Sequence, residues 1–499
     1  MPVSDLLTRS CLERGHHPAV IDAEGTLSYL DLGAAVDRTV GWLRSQGITA
    51  GERVVYAGGN DRVFLALFYA TLRLGAVFVP VHPELTEGQV GHIVEDCDAT
   101  LAICSPADLA RCRQEIQRTS ADGFTAEVPD DSIAVLIYTS GTTGRPKGVV
   151  CPHRQMAAAV EAINSCLRYR ADDVVLCRVP LSFDYGLYQA LLCALTGSTL
   201  VLAERGQDMG LLKLIERHGV TVVPLLPALA QILTLLQRKR QRPTAVRLFT
   251  NTGARPGRAI MSELLELFPG SAFASMYGMT ECKRISILDP DAYADHPDSV
   301  GMPIAGDLIR IVDGGKRELG PHEVGEIVVS GETVMAGYWG IPLEAQKRFV
   351  RRDDGSLELH TGDQGYLDED GRLYFVGRDD DMIKRRGVRL GLTEIEDAAE
   401  RIPGVSAAVA LRPEPEDGPL DLVVRSELPV EEIRAQLVQR LDPARRPDRI
   451  VPVDAIPLTS NGKPDRGAVK RLLDPPAHAD HATTLPFAQT RTTHGPVAV

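Results

Sequence analysis

The chain has no apolar run long enough to cross a bilayer, no C-x-x-C pair and no excess of positive charge. Each absence removes a class of function. A membrane-spanning helix needs about 20 consecutive apolar residues, so no membrane partner is expected. Lys and Arg number 54 against 67 Asp and Glu, a net charge of −13. Such a balance argues against nonspecific binding to nucleic acid or to an anionic surface. The nine cysteines are scattered and odd in number. They read as reduced, mostly buried thiols rather than as a disulfide frame or a zinc site. The opening residues MPVSDLLTRSCLERGHH lack a basic start followed by an apolar core, so no secretory signal and a cytoplasmic location are expected. No repeat of about 20–50 residues stands out.

The 499 residues are enough for more than one core. Up to about residue 300, apolar strands alternate with amphipathic helices, as in RVVYAGGN, RVFLALFYATLRLGAVFVPV, DVVLCRVPL and LLKLIERHGVTVVPLLPALAQILTLLQ. This alternation predicts an α/β fold of largely parallel sheets covered by helices. The texture then changes to DLIRIVDGGKRELGPHEVGEIVVSG and GRLYFVGRDDDMIKRRGVRL, short strands with Gly and Asp turns. A small, mostly antiparallel, barrel-like unit is expected there. The charged stretch GRDDDMIKRRG marks a boundary. The expected domains are 1–379, a small mobile α+β unit at 380–475, and a disordered tail at 476–499.

One loop concentrates chemistry. YTSGTTGRPKG (138–148) holds three glycines, four Ser/Thr hydroxyls and one lysine. It follows DSIAVLIYTS, an apolar β-branched run that reads as a strand ending at Ser140. Glycine lets backbone N–H groups close on an anion, hydroxyls donate hydrogen bonds, and lysine supplies charge. The spacing differs from the ATPase loop G-x-x-x-x-G-K-[ST]. Four further stretches join it: SMYGMTEC (275–282), HTGDQGYLDEDG (360–371), GRDDDMIKRRG (377–387) and PLTSNGKPDR (457–466).

In this order and spacing the five stretches resemble the adenylate-forming superfamily of acyl-CoA synthetases, luciferases and nonribosomal peptide adenylation domains. The resemblance covers roughly residues 10–472. It implies ATP and Mg²⁺ as cofactors and a reaction in two steps. A carboxylate attacks the α-phosphorus of ATP, releasing pyrophosphate, and a thiol then takes the acyl group. By the resemblance, Thr139, Ser140, Gly141, Thr142, Thr143 and Lys147 hold the β- and γ-phosphates. Glu281 holds Mg²⁺, and Thr280 contacts the α-phosphate. Tyr277 packs on adenine beside Gly278, with Gly253 and Ala254 lining the same site. Asp363 accepts the ribose hydroxyls, a carboxylate being suited to bidentate acceptance, with Arg378 nearby. Lys463 bridges the attacking carboxylate and the phosphate oxygens, delivered by a domain that pivots at Asp380.

The same resemblance bears on substrate and acceptor. Asp184, in PLSFDYGLYQALL, matches the aspartate that pairs with the α-ammonium in amino-acid-activating members. The alternative is structural, since Asp is a favoured helix N-cap. Tyr185, Tyr188, Thr250, Thr252, Met276 and Ile285 fall near pocket-lining positions. Lys283 and Arg284, in TECKR, stand where many relatives carry small residues; they either contact an acidic substrate group or face solvent, the plainer option. RRGVRLGLTEIE carries the Arg-Gly-x-Arg pattern of members that load carrier proteins. A small carboxylic or amino acid and a separate acyl or peptidyl carrier protein are therefore the expected partners, with coenzyme A as the alternative acceptor. A luciferase-like oxygenase and a nucleotide-binding regulator without catalysis are the remaining readings. The intact Lys463, Glu281 and Asp363 argue against the regulator.

Overall fold

The structure is a computed structural model that describes residues 2–140, 146–203, 208–253, 255–378, 382–385, 388–414, 418–459 and 464–473. Its largest element is a nine-stranded sheet. The central strands run in the order Ala272–Tyr277, Leu248–Asn251, Val222–Leu225, Val174–Cys177, Thr199–Leu202 and Pro18–Asp22, all parallel. Val222–Leu225 and Leu248–Asn251 are buried at every position. Continuous burial is what a parallel strand covered on both faces requires. Short antiparallel strands close both edges of this sheet.

A second sheet of five strands is parallel except at one edge. There Ile133–Ser140 pairs antiparallel with Pro146–Pro152, matching Thr139 with Lys147. The strand predicted to end at Ser140 does so. The chain returns as a strand rather than opening into a helix, so Lys147 lies at the start of that strand. Pro146 is tolerated there because a proline at the first position of a strand removes no interior ladder bond.

The third sheet contains Asp307–Val312, Gly325–Gly331, Leu357–Leu367, Phe349–Arg351 and Leu373–Arg378, all paired antiparallel. Beyond it, the hairpin of Met382–Arg385 and Val388–Gly391 leads into a three-stranded sheet flanked by Leu392–Glu400, Val430–Arg440 and Arg466–Leu473. Ile383, Leu390, Ile395, Leu422 and Ile450 belong to a hydrophobic cluster that takes no residue from the sheets before it. The two parts meet through polar contacts. Arg401 donates to Asp298 at 3.1 Å, and Gln231 donates to the Ser406 carbonyl at 3.3 Å. Among the described residues, no helix is long and apolar enough to cross a membrane.

Three loops that carry predicted site residues leave the carboxyl ends of strands in the nine-stranded sheet. They follow Val174–Cys177, Leu248–Asn251 and Ala272–Tyr277. Because these strands are parallel, the three loops share one edge, where open α/β sheets bind ligands.

Candidate active site

The loop after Ala272–Tyr277 is built around two unusual backbone positions. A Cβ on Gly278 would lie 2.2 Å from the Lys283 carbonyl oxygen, so only glycine fits. Lys283 itself adopts φ +61°, a left-handed conformation uncommon outside glycine. Ile285 N donates to Tyr277 O at 2.8 Å, and Cys282 N to Met279 O at 3.0 Å, which close the loop on its own strand. Thr280 lies half-buried in this turn.

At one side of the loop, Glu281 is buried and accepts from the Tyr338 hydroxyl at 2.6 Å. Arg348 Nη1 lies 3.7 Å from the same oxygen, Oε1. The Lys147 ammonium sits 5.5 Å above the Tyr338 ring, within the range of a cation–π contact. The fold thus brings Lys147 and Glu281 together through Tyr338, which the motif reading missed. Among the described residues, both side-chain contacts of Glu281 fall on Oε1, leaving Oε2 for a cation. One carboxylate with substrate phosphates is a usual way to hold Mg²⁺, so the donor set fits that ion.

Asp363 and Arg378 face each other across neighbouring antiparallel strands, with Arg378 Nε 3.3 Å from Asp363 Oδ1. Tyr277 donates its hydroxyl to Asp363 Oδ2 at 2.6 Å. Burial, and then the Asp363 carboxylate, hold this phenol protonated by pushing its pKa well above the ordinary value. The Tyr277 ring also packs at 5.5 Å against Phe375. Three predicted nucleotide residues, from strands 86 residues apart, therefore form one cluster.

The loop before Asp184–Thr196 is clamped by Asn60, which accepts from Leu181 N at 2.8 Å and donates to Val179 O at 2.9 Å. Gly186 lets the helix press on that loop, since a Cβ there would meet the Pro180 carbonyl oxygen at 2.2 Å. Asp184 begins the helix, but the N-cap position is Phe183 and no side chain caps it. The capping alternative is therefore wrong. Asp184 instead accepts from Arg284 Nη1 at 3.0 Å through Oδ2.

Lys283 and Arg284 do not face solvent, a correction to the plainer expectation; they are 0% and 2% exposed. Both lie in the turn between Ala272–Tyr277 and Ser286–Ile287, where the left-handed backbone at Lys283 helps to bring both side chains inside. Arg284 also donates to the Lys283 carbonyl at 2.6 Å and lies 5.1 Å over the Tyr185 ring. Lys283 donates to the Cys151 sulfur at 3.2 Å. Among the described residues it has no carboxylate within ion-pair distance.

Several buried polar atoms nearby have no hydrogen-bond partner among the described residues: Arg284 Nε, Tyr188 OH, Thr252 Oγ1, Ser182 Oγ and Ser286 Oγ. Such atoms are rare in native interiors, and their concentration here suits a polar ligand. Tyr185 donates its hydroxyl to the Thr250 carbonyl at 2.8 Å. Met276 and Ile285 are buried beside the loop, and Gly253 follows Leu248–Asn251 with φ +84°. Gly141, Thr142, Thr143, Ala254, Asp380 and Lys463, the Ser140 side chain and the tail lie outside the described residues.

Comparison with known proteins identifies the class. The AMP-binding enzyme family model matches residues 7–339, and the AMP-binding enzyme C-terminal domain matches residues 394–463. The chain belongs to the AMP-binding enzyme family, the adenylate-forming superfamily, and is an AMP-forming ligase. It is 31% identical to a feruloyl-CoA synthase of Amycolatopsis sp, covering 91% of this chain and 96% of that one. It is 28% identical to a plipastatin synthase of Bacillus subtilis (strain 168), covering 89% of this chain but 18% of that much longer protein. A structure of VinN in complex with L-aspartate is 38% identical, with a TM-score of 0.69, over 76% of this chain and 98% of that one.

Proposed function

We propose that the chain activates an amino acid bearing a second carboxylate. One carboxylate of that acid attacks the α-phosphorus of ATP, giving an acyl-adenylate and pyrophosphate. The acyl group then passes to the phosphopantetheine thiol of a separate carrier protein. The observation that carries this reading is the buried pair of Lys283 and Arg284 beside the half-buried Asp184. Arg284 pairs with Asp184, while Lys283 has no carboxylate within ion-pair distance among the described residues. Isolated buried charge is costly, so an anionic substrate group is the natural complement. Among the described residues, Asp184 Oδ2 holds Arg284 and Oδ1 is left for an ammonium. The similarity to VinN, solved with L-aspartate, supports the same substrate class.

In this reading Thr139, Ser140, Gly141, Thr142, Thr143 and Lys147 bind the β- and γ-phosphates. Thr280 contacts the α-phosphate, and Glu281 would hold Mg²⁺, whose charge offsets repulsion between two converging anions. Gly253, Ala254, Tyr277 and Gly278 form the adenine side, and Asp363 with Arg378 the ribose side. Tyr185, Tyr188, Thr252, Met276 and Ile285 line the acid pocket beside Asp184. The domain at 380–475 pivots at Asp380 and delivers Lys463 to the reacting carboxylate.

Coenzyme A is the second reading of the acceptor, favoured by the 31% identity to a feruloyl-CoA synthase along nearly the whole of both chains. Pyrophosphate exchange over a panel of acidic, neutral, aryl and aliphatic acids tests the substrate. Exchange should be fastest with an acidic amino acid; a preference for acids without an amino group would overturn the reading. Acylation of a phosphopantetheinylated carrier, compared with coenzyme A at equal concentration, decides the acceptor.

A further inference from the structure

We infer that Cys151 is a positioning residue that aims the Lys283 ammonium at the second carboxylate of the substrate. The inference rests on the acidic-amino-acid reading above. Cys151 lies in Pro146–Pro152, the strand that returns from the Gly/Thr loop, and is fully buried. Its thiol donates to the Val149 carbonyl at 3.4 Å, which turns the sulfur lone pairs toward Lys283 at 3.2 Å. An ammonium carries three donors, and this contact uses one.

The chemistry of a thiol suits that task. A carboxylate at the same place would neutralise Lys283 and leave nothing for the substrate. A neutral thiol is a weak acceptor: it fixes the direction of the ammonium without cancelling its charge. Burial pushes the Cys151 thiol up from its ordinary value, while the charge of Lys283 pulls it back only in part. The group therefore stays protonated, and the positive charge remains available.

Lys283 is anchored at both ends. Its backbone is held left-handed, with its carbonyl pressed against Gly278 and bonded by Arg284. Its Nζ is held by Cys151, 132 residues away in sequence. A lysine stem is otherwise flexible, and removing the distal anchor frees it to leave the line of the substrate. Tyr188, whose hydroxyl has no partner among the described residues, is buried near the same thiol and near Asp184 and Arg284.

The test compares the wild type with Cys151→Ala and Cys151→Ser by pyrophosphate exchange. The substrates are aspartate, alanine and β-alanine, the last two each lacking one carboxylate of aspartate. Cys151→Ala should raise the KM for aspartate about tenfold, with kcat changed less than about threefold and the preference over the neutral analogues reduced by the same factor. Cys151→Ser keeps an acceptor and should stay within about threefold of the wild type. An unchanged KM and preference in Cys151→Ala would overturn the inference while leaving the proposed function standing. Equal damage in both variants, with a lowered melting temperature, would make Cys151 a packing residue and also overturn it. A wild type that activates no acid with a second carboxylate removes the substrate reading, and the inference falls with it.

Discussion

Two Arg–Asp pairs sit at opposite ends of the parallel sheet, each with one partner buried and the other partly exposed. Asp173 and Arg247 immediately precede Val174–Cys177 and Leu248–Asn251, at the amino ends. Asp184, at the start of its helix, and Arg284, in the turn after Ala272–Tyr277, lie beyond the carboxyl ends. The first pair is saturated. Arg247 Nε donates to Asp173 at 2.8 Å, and its Nη2 reaches the other carboxylate oxygen. Thr221 and the Arg170 N–H each donate to Asp173 at 2.7 Å. The second pair has one hydrogen bond, an unpartnered Arg284 Nε and an extra cation beside it, among the described residues. The Asp173 side chain is 2% exposed, and that of Asp184 is 18%. A pair that serves the fold uses up its donors and acceptors. Under the proposed function, the second pair keeps some of its donors and acceptors for the ligand.

The comparison breaks if the two pairs respond alike to the same change. Asp173→Asn should cost about 1.5–3 kcal/mol of stability, since it leaves the partly buried Arg247 without its charge partner. Chemical denaturation measures that loss, and substrate KM in the folded fraction should not move. Asp184→Asn should do the reverse. Pyrophosphate exchange should fall about 100-fold through the lost ammonium contact, with a smaller fall in melting temperature than Asp173→Asn shows. Equal destabilisation by the two variants would erase the distinction.

Acid titration sharpens it further. Burial opposes ionisation of Asp173, but hydrogen bonds from Arg247, Thr221 and the Arg170 N–H outweigh it and hold its pKa below the ordinary value. A depressed carboxyl pKa stabilises the fold above the unfolded value, about 3.9, and that stability is lost as pH falls through the folded value. The gap in stability between wild type and Asp173→Asn should therefore be full above about pH 4 and close below it.

A half-buried carboxylate gives the smallest effect. Glu400, at the end of Leu392–Glu400, is pushed up to about 8 by burial and then by Asp397. For a raised carboxyl the sign reverses: stability falls as pH climbs from the unfolded value toward the folded one. Glu400→Gln keeps an acceptor for the Ala408 N–H that Glu400 now binds at 3.1 Å. It should be more stable than the wild type by about 1 kcal/mol at pH 9 and gain nothing at pH 5.

Much of this molecule is legible in local sequence. The alternation of VVPL-like strands with amphipathic helices predicts parallel sheets, because continuous burial and helical period are properties of a few neighbouring residues. The motifs around Lys147, Glu281 and Asp363 are likewise local, and their order identifies the family. Three things were not legible. Tyr338 reaches Glu281 from 57 residues away. Asn60 clamps the loop before Asp184 from 119 and 121 residues away. Cys151 meets Lys283 across two sheets. None of these pairs has a spacing that a helix or strand period can reveal.

Sequence alone determined the family and the strand that ends at Ser140, since each depends on short-range pattern. Tertiary structure alone decided that Lys283 and Arg284 are inside and that Asp184 pairs with arginine rather than capping its helix. The physical reason is one left-handed residue beside a glycine with no room for a side chain. That turn brings both side chains inside, and the charges it buries become visible only when the strands are assembled.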